Sequence, residues 1–289
     1  MAKRARLWNS LAGLLGLAAA LAGSPVEAAD PAVSDSNLKL SFFGGNANAG
    51  ATGVGIGGLA GSLTLPVGHA FGIQLDGAVG KVDGNGFYGA GGHLFWRDPG
   101  QGLFGLYAGY AKLEAFGGQS VRRFGLEAER FIGNLTLRGA GGIRDGAGGS
   151  SAYGSAKLDY YWTPNLKTSS GVTFEGTGFY SSSAEYQFNS DEMAGMSLYY
   201  DSNYHASDSY QILGGLKISF GKSMSLIDRH RKQDPDMLLG LDMIATEQAA
   251  AKYCSADVAY ALPQTCMCPP FTIAIDGGDN TFSCHEPMK

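Results

Sequence analysis

The feature that most constrains this chain is alternation of residue type with a period of two, repeated over residues 38 to 220 in segments of about ten. From Asn134 to Arg144, one face reads Asn134, Thr136, Arg138, Ala140, Gly142 and Arg144, and the other Leu135, Leu137, Gly139, Gly141 and Ile143. The last segment sets Tyr210, Ile212, Gly214, Leu216, Ile218 and Phe220 against Gln211, Leu213, Gly215, Lys217 and Ser219. Such patterning predicts β-strands with two unlike faces. It places twelve of them, near 37–45, 53–65, 70–81, 87–97, 102–113, 120–132, 134–145, 151–162, 166–177, 182–189, 194–204 and 210–220. Ten is the alternative count, because the second, fifth and tenth segments alternate least cleanly. Pro66–His69, Asp98–Gln101, Ile132–Asn134, Thr163–Asn165 and Ser190–Glu192 read as tight turns. Residues 46–52, 83–86, 114–119, 146–150, 178–181 and 205–209 read as longer, glycine- or serine-rich loops.

Segments of this length match the roughly 9–11 residues that cross a bilayer at a tilt, and exceed the roughly 5–6 of an ordinary sheet strand. Aromatic residues cluster at segment ends, as Tyr88 and Trp96, Tyr160 and Trp162, Tyr210 and Phe220, where membrane barrels carry their girdles. Charged residues make up only 16% of the chain, and the mean hydropathy of −0.05 is too polar for a helical membrane bundle. Past the first thirty residues no apolar run reaches the roughly 18 that a helical span needs. The 45 glycines fall largely within strands, where they permit tight bends and close backbone approach. A soluble β-sandwich also alternates, but segment length, aromatic placement and the charge-free belts favour an all-β, antiparallel up-and-down transmembrane barrel. A pI near 5.5 speaks against a nucleic-acid partner. The glycine-rich run Gly53–Gly58 lies in a strand pattern and carries no nucleotide role, and no cofactor or metal is expected.

The amino terminus sets the compartment. Lys3, Arg4 and Arg6 precede an apolar run from Leu11 to Ala22, then Pro25 and a small-x-small site at Val26-Glu27-Ala28. This is the layout of a secretory signal peptide spanning residues 1–28. The expected organisation is that leader, a barrel over residues 29–222 and a tail over 223–289.

In these features the chain resembles the porin-like outer-membrane β-barrel proteins of Gram-negative bacteria. The strongest local piece is Gly215, Leu216, Ile218 and Phe220, which looks like the closing-strand signal read by the barrel-assembly machinery. The resemblance implies outer-membrane lipid around the barrel, assembly machinery and periplasmic chaperones as partners in biogenesis, and barrel termini in the periplasm. Here the polypeptide continues past Phe220, where barrels of this kind commonly end.

With polar faces turned inward, the lumen carries Lys39, Arg97, Arg123, Arg138, Arg144, Lys157, Lys167 and Lys217 against Asp76, Glu127, Glu129, Asp159, Glu175, Glu185 and Asp201, with His93 as a hydrogen-bonding group. A twelve-strand barrel lies between filled eight-strand barrels and open porins of 16–18 strands. Two readings follow: a pore for passive diffusion of small polar solutes, with these residues lining it, or a non-conducting structural or adhesive barrel whose salt-bridged filling closes it.

The tail is compositionally different. Residues 223–236 mix Arg229, Arg231, Lys232, Asp228 and Asp234 and read as a solvated linker, with contact to peptidoglycan as the sharper reading. Met237–Tyr253 has helical spacing. Cys254, Cys266, Cys268 and Cys284 all lie here, and an even count in an exported chain predicts disulfides whose pairing the sequence leaves open. The chain is read as a non-enzyme. One remote alternative is a lipid hydrolase using His205 and Ser207, whose His-x-Ser spacing resembles that of the twelve-strand outer-membrane phospholipases.

Overall fold

The computed structural model describes residues 30–48, 53–114, 119–146, 149–175, 177–189, 195–205 and 210–235, and short strands at 260–261, 273–278 and 281–285. The alternating segments form β1 (Asn37–Asn48), β2 (Gly53–Val67), β3 (Phe71–Val82), β4 (Asn85–Asp98), β5 (Gly102–Leu113) and β6 (Gln119–Ile132). They continue as β7 (Leu135–Gly146), β8 (Gly149–Thr163), β9 (Leu166–Glu175), β10 (Thr177–Gln187), β11 (Met196–His205) and β12 (Tyr210–Phe220). Each strand pairs antiparallel with its neighbour in sequence, and β12 closes on β1 with Leu38 opposite Phe220 and Ala47 opposite Gln211. The sheet therefore has no free edge, which is the condition for strands to span a bilayer. With an even strand count, residues 37 and 220 lie at one end of the barrel, here the terminal end; the other is the hairpin end.

The exterior is apolar. Leu59, Leu75, Val79, Leu94, Leu106, Phe124, Ile143, Leu158 and Leu198 all point outward and are exposed. Tyr88, Phe174 and Tyr204 ring the hairpin end, and Phe71, Trp162 and Phe220 the terminal end. A closed barrel with an apolar belt between aromatic girdles is a transmembrane architecture. Among the described residues no helix is long and apolar enough to cross a membrane; the crossings are made by strands.

The connections do not divide cleanly into a tight set and a long set. β3 and β4 are joined by Asp83 and Gly84 alone, with φ of 48° and 78°, the left-handed pair of a two-residue hairpin whose twist matches its strands. Residues 178–181, expected as a loop, belong to β10. Their serines read as loop by propensity, but Ser181 turns inward and the adjacent Ser182 hydroxyl bonds that of Ser202 across the strand pair at 2.8 Å. At the terminal end, β10 and β11 are joined by residues 188–195, and the expected tight turn Ser190–Glu192 lies outside the described residues.

The linker reading of residues 223–236 is corrected. The chain turns at Gly221 and forms a short helix, α1 (Leu226–Lys232). Ser225 caps it: its hydroxyl accepts from the Asp228 amide at 3.2 Å, while the Asp228 carboxylate accepts from that hydroxyl at 2.6 Å. This is a serine N-cap, at the sequence spacing of a capping box, Ser-Leu-Ile-Asp. Burial pushes the Asp228 carboxyl up, but the Ser225 hydroxyl and the Lys232 ammonium outweigh it and hold the group below the usual carboxylate range. Farther on, β13 (Tyr260–Ala261), β14 (Ile273–Gly278) and β15 (Thr281–His285) form a small sheet in the order β13-β15-β14. The leader at 1–28, the expected helix at 237–253 and Cys254, Cys266 and Cys268 lie outside the described residues. Cys284 falls within β15.

Candidate functional site

The inward faces of the twelve strands build the candidate site, and they build it as two unlike halves. On β1 to β6 the hairpin-end half of the lumen is filled by an apolar cluster. Phe43, Ile56, Ala60, Ala78, Val82, Phe87, Tyr107, Ala111, Leu113 and Val121 are all buried, and Tyr153 of β8 and Leu213 of β12 complete the cluster. Inward glycines make room for the rings. A Cβ on Gly58 would come within 2.8 Å of the Phe43 ring, and one on Gly80 within 2.6 Å of the Phe87 ring. Each aromatic side chain thus lies over a glycine of a neighbouring strand, and the Phe43 and Phe87 rings stack at 6.2 Å between centroids.

Beneath that cluster lies a buried ionic set. His93 on β4 faces Asp76 on β3 through Nε2 at 2.9 Å and Glu127 on β6 through Nδ1 at 2.9 Å. The Gln74 side-chain amide donates to Asp76 at 3.0 Å, and the Thr64 hydroxyl donates to Gln74 at 3.0 Å. Glu127 is 1% exposed and His93 3% exposed, so no solvent route passes them. Buried pairs of this kind gain little over an apolar filling, but loss of one partner leaves a charge stranded.

The half built by β7 to β11 is different. Arg123 of β6 and Arg144 of β7 both reach Glu175 of β9, at 2.6 and 2.7 Å, a span only the lumen allows. Arg138 pairs with Asp159 at 2.8 Å, and Lys217 with Glu185 at 2.6 Å, where the Ser197 hydroxyl also donates at 2.7 Å. Between these pairs runs a band of small and polar inward positions that are only half-buried: Arg138 with Lys157, Ala140 with Ser155, and Ser183 with Asp201 are cross-strand partners along it. On β9 between them, Ser169 and Gly171, the partners of Ser183 and Lys157, are buried beneath these side chains.

At the terminal end a plug occupies the mouth. Arg97, fully buried, donates to the backbone carbonyls of Ala32, His230 and Gln233. Lys39 pairs with Asp234. Arg231 donates to the Leu135 carbonyl at 3.0 Å and the Thr136 hydroxyl at 3.2 Å, with its guanidinium over the Phe131 ring. The Tyr161 hydroxyl and His230 Nδ1 are 2.9 Å apart. Residues 30–36 complete the seal, with Val33 packed against Phe95 and Leu103. Burial lowers the basicity of both Arg229 and Arg231.

All sixteen titratable residues assigned to the lumen from sequence alternation lie on inward faces. Lys39, Arg97, Lys167, Glu185 and Lys217 gather at the terminal end near the plug, together with Glu129 and Asp159; Arg123, Arg144 and Glu175 meet toward the hairpin end, and the rest lie nearer the middle. The plug residues Arg229, His230, Gln233 and Asp234 are the participants that sequence reasoning missed. The Ser225–Asp228 capping-box spacing was the available signal. Of the remote hydrolase pair, His205 ends β11 and Ser207 lies outside the described residues.

No protein-family model matches the chain, and no curated protein matches its sequence. Among solved structures it is similar to the KdgM porin, at 9% identity and TM-score 0.48, covering 63% of this chain and 99% of that one. It is also similar to the outer membrane phospholipase (OMPLA) of Salmonella typhi, a dimer with bound calcium, at 10% identity and TM-score 0.44, covering 68% and 94%. A third is the outer membrane protein Omp33 of Acinetobacter baumannii, at 12% identity and TM-score 0.39, covering 64% and 99%.

Proposed function

We propose that this chain is a porin-like protein of the Gram-negative outer membrane that passes small polar solutes along the β7–β11 side of its lumen. The observation that carries the reading is the half-buried polar band of Arg138, Ser155, Lys157, Ser183 and Asp201, which contrasts with the apolar filling on β1 to β6. In the state described, the plug closes the terminal end of that route. On this reading the leader is removed on export, the barrel termini and tail lie in the periplasm, and the outward belt meets lipid. Gly215, Leu216, Ile218 and Phe220 of β12 present the closing-strand signal to the assembly machinery, with periplasmic chaperones carrying the chain there. Cys254, Cys266, Cys268 and Cys284 form disulfides in the oxidising periplasm, and the tail contacts peptidoglycan.

A second reading, a barrel that never conducts, is favoured by the depth at which Glu127, Glu129 and Lys167 are buried, at 1%, 3% and 1% exposure. Planar-bilayer recording of the folded full chain separates the two. Channel openings whose reversal potential in a salt gradient moves toward cation preference in Lys157→Glu, and stays put in Glu127→Gln, support the solute route. Reversal potentials that ignore Lys157, or that follow Glu127, contradict it.

A further inference from the structure

The plug has two parts, joined where the Ser34 amide donates to the Lys232 carbonyl at 2.7 Å and where Arg97 donates to both, and otherwise fastened by different chemistry. Residues 30–36 are held in part by apolar packing, through Val33 against Phe95 and Leu103. The part from Gly221 to Pro235 is held almost wholly by polar contacts. Within it Leu226 and Pro235 are the buried apolar side chains, Arg231 lies over the Phe131 ring, and the other fastenings are hydrogen bonds and ion pairs. The Ile227 amide donates to the Pro164 carbonyl at 3.1 Å, and the Leu226 amide to the Asn165 side chain at 3.1 Å. The Gln187 side chain donates to the Met224 carbonyl at 2.7 Å and accepts from Arg229 at 3.3 Å. Arg231 is held by β7 and Asp234 by Lys39 of β1.

These contacts fall mostly on the ends of β7, β8, β9 and β10, the strands that carry the half-buried polar band. The segment therefore lies mainly over the polar half, with Arg97 of β4 and Lys39 of β1 tying its end to the opposite wall. Polar contacts of this kind exchange against water with small net change, whereas withdrawing a packed apolar face would expose it to solvent. The segment also has a hinge. Gly221, one residue past the end of β12, has a φ of +115°, in the left-handed region that glycine adopts without strain. A few residues at an element's end that absorb a large backbone change are what a hinged closure needs.

We propose that Gly221–Pro235 is a gate: it unlatches from the mouth as a unit about Gly221 and opens the polar half of the lumen, while residues 30–36 stay in place. The proposal rests on the channel reading above. Residues 236–289 follow the gate directly, so a load on that tail pulls on the latch.

The test uses the full-length protein in planar bilayers, with folding of the barrel verified by the mobility difference between heated and unheated samples on gels. Arg231→Gln with Asp234→Asn weakens the latch from the gate's side and alters no strand residue. The expected result is an open probability about tenfold above wild type, as for the loss of one or two hydrogen bonds, at unchanged unit conductance. A parallel arm adds urea, which extracts a polar-latched segment before it unfolds a closed barrel. If urea opens wild type and variant alike while the variant without urea matches wild type, the segment is a fixed lid. The gate is then wrong and the channel reading stands. If barrels that keep their gel shift stay silent in every arm, the channel reading fails and the gate falls with it.

Discussion

The two halves of the lumen are made from the same strand pattern and differ only in what the inward positions carry. On β1 to β6 an aromatic ring repeatedly faces a glycine of the next strand, as Phe43 over Gly58 and Phe87 over Gly80, and the space closes. On β7 to β11 the inward positions mix charged side chains with serine, alanine and glycine, and the rings Tyr153, Tyr161, Phe179 and Tyr199 stand at intervals among them. Charged pairs such as Arg138 with Asp159 brace the wall, and Arg138, Lys157, Ser183 and Asp201 stay only half-buried. Strand count alone therefore does not decide how a lumen is filled. At twelve strands, which side chains share a layer decides it.

Substitutions separate the two halves, starting with the largest expected effect. His93→Leu leaves Asp76 and Glu127 buried without the ring between them, and costs about 3–5 kcal/mol of stability, read as an earlier loss of the folded gel band on heating or in denaturant. Leu213→Ala cuts a cavity into the apolar cluster and costs roughly 2–5 kcal/mol, seen in the same assay. Ser183→Ala in the polar half should stay within about 0.5 kcal/mol of wild type. A Ser183→Ala protein as unstable as Leu213→Ala would mean that both halves are packed alike.

Much of this arrangement was legible in the sequence, because a period of two with unlike faces has one closed solution once the outer face is apolar. The alternation put His93, Glu127, Arg138 and Lys157 on inward faces without any structure. It could not say which of them meet. Arg123 on β6 and Glu175 on β9 have two strands between them and touch only because the sheet curves into a barrel, and no local pattern encodes that. Nor could it say which inward charges are covered: Glu127 is buried and Lys157 half-buried, because exposure inside a lumen depends on what the opposite wall contributes. The plug was misread because a seven-residue helix rich in Arg, His and Lys has the composition of a solvated linker. Its burial is created by the carbonyls and carboxylates of the mouth. Its capping-box spacing was the local signal, and a mixed charge run outweighed it.

The central claim is that solvent reaches the polar half of the lumen and not the filled half. The most direct measurement is the reactivity of single introduced cysteines toward a charged, membrane-impermeant thiol reagent, scored by mass on the peptide that carries each site. Ser155→Cys and Ser183→Cys report on the half-buried band; Ala60→Cys and Ala78→Cys report on the apolar cluster, where the native residues are 2% and 5% exposed. The account predicts rapid labelling at positions 155 and 183, and protection at 60 and 78 for as long as the barrel stays folded. Equal labelling of all four, or labelling of 60 and 78 alone, would contradict it.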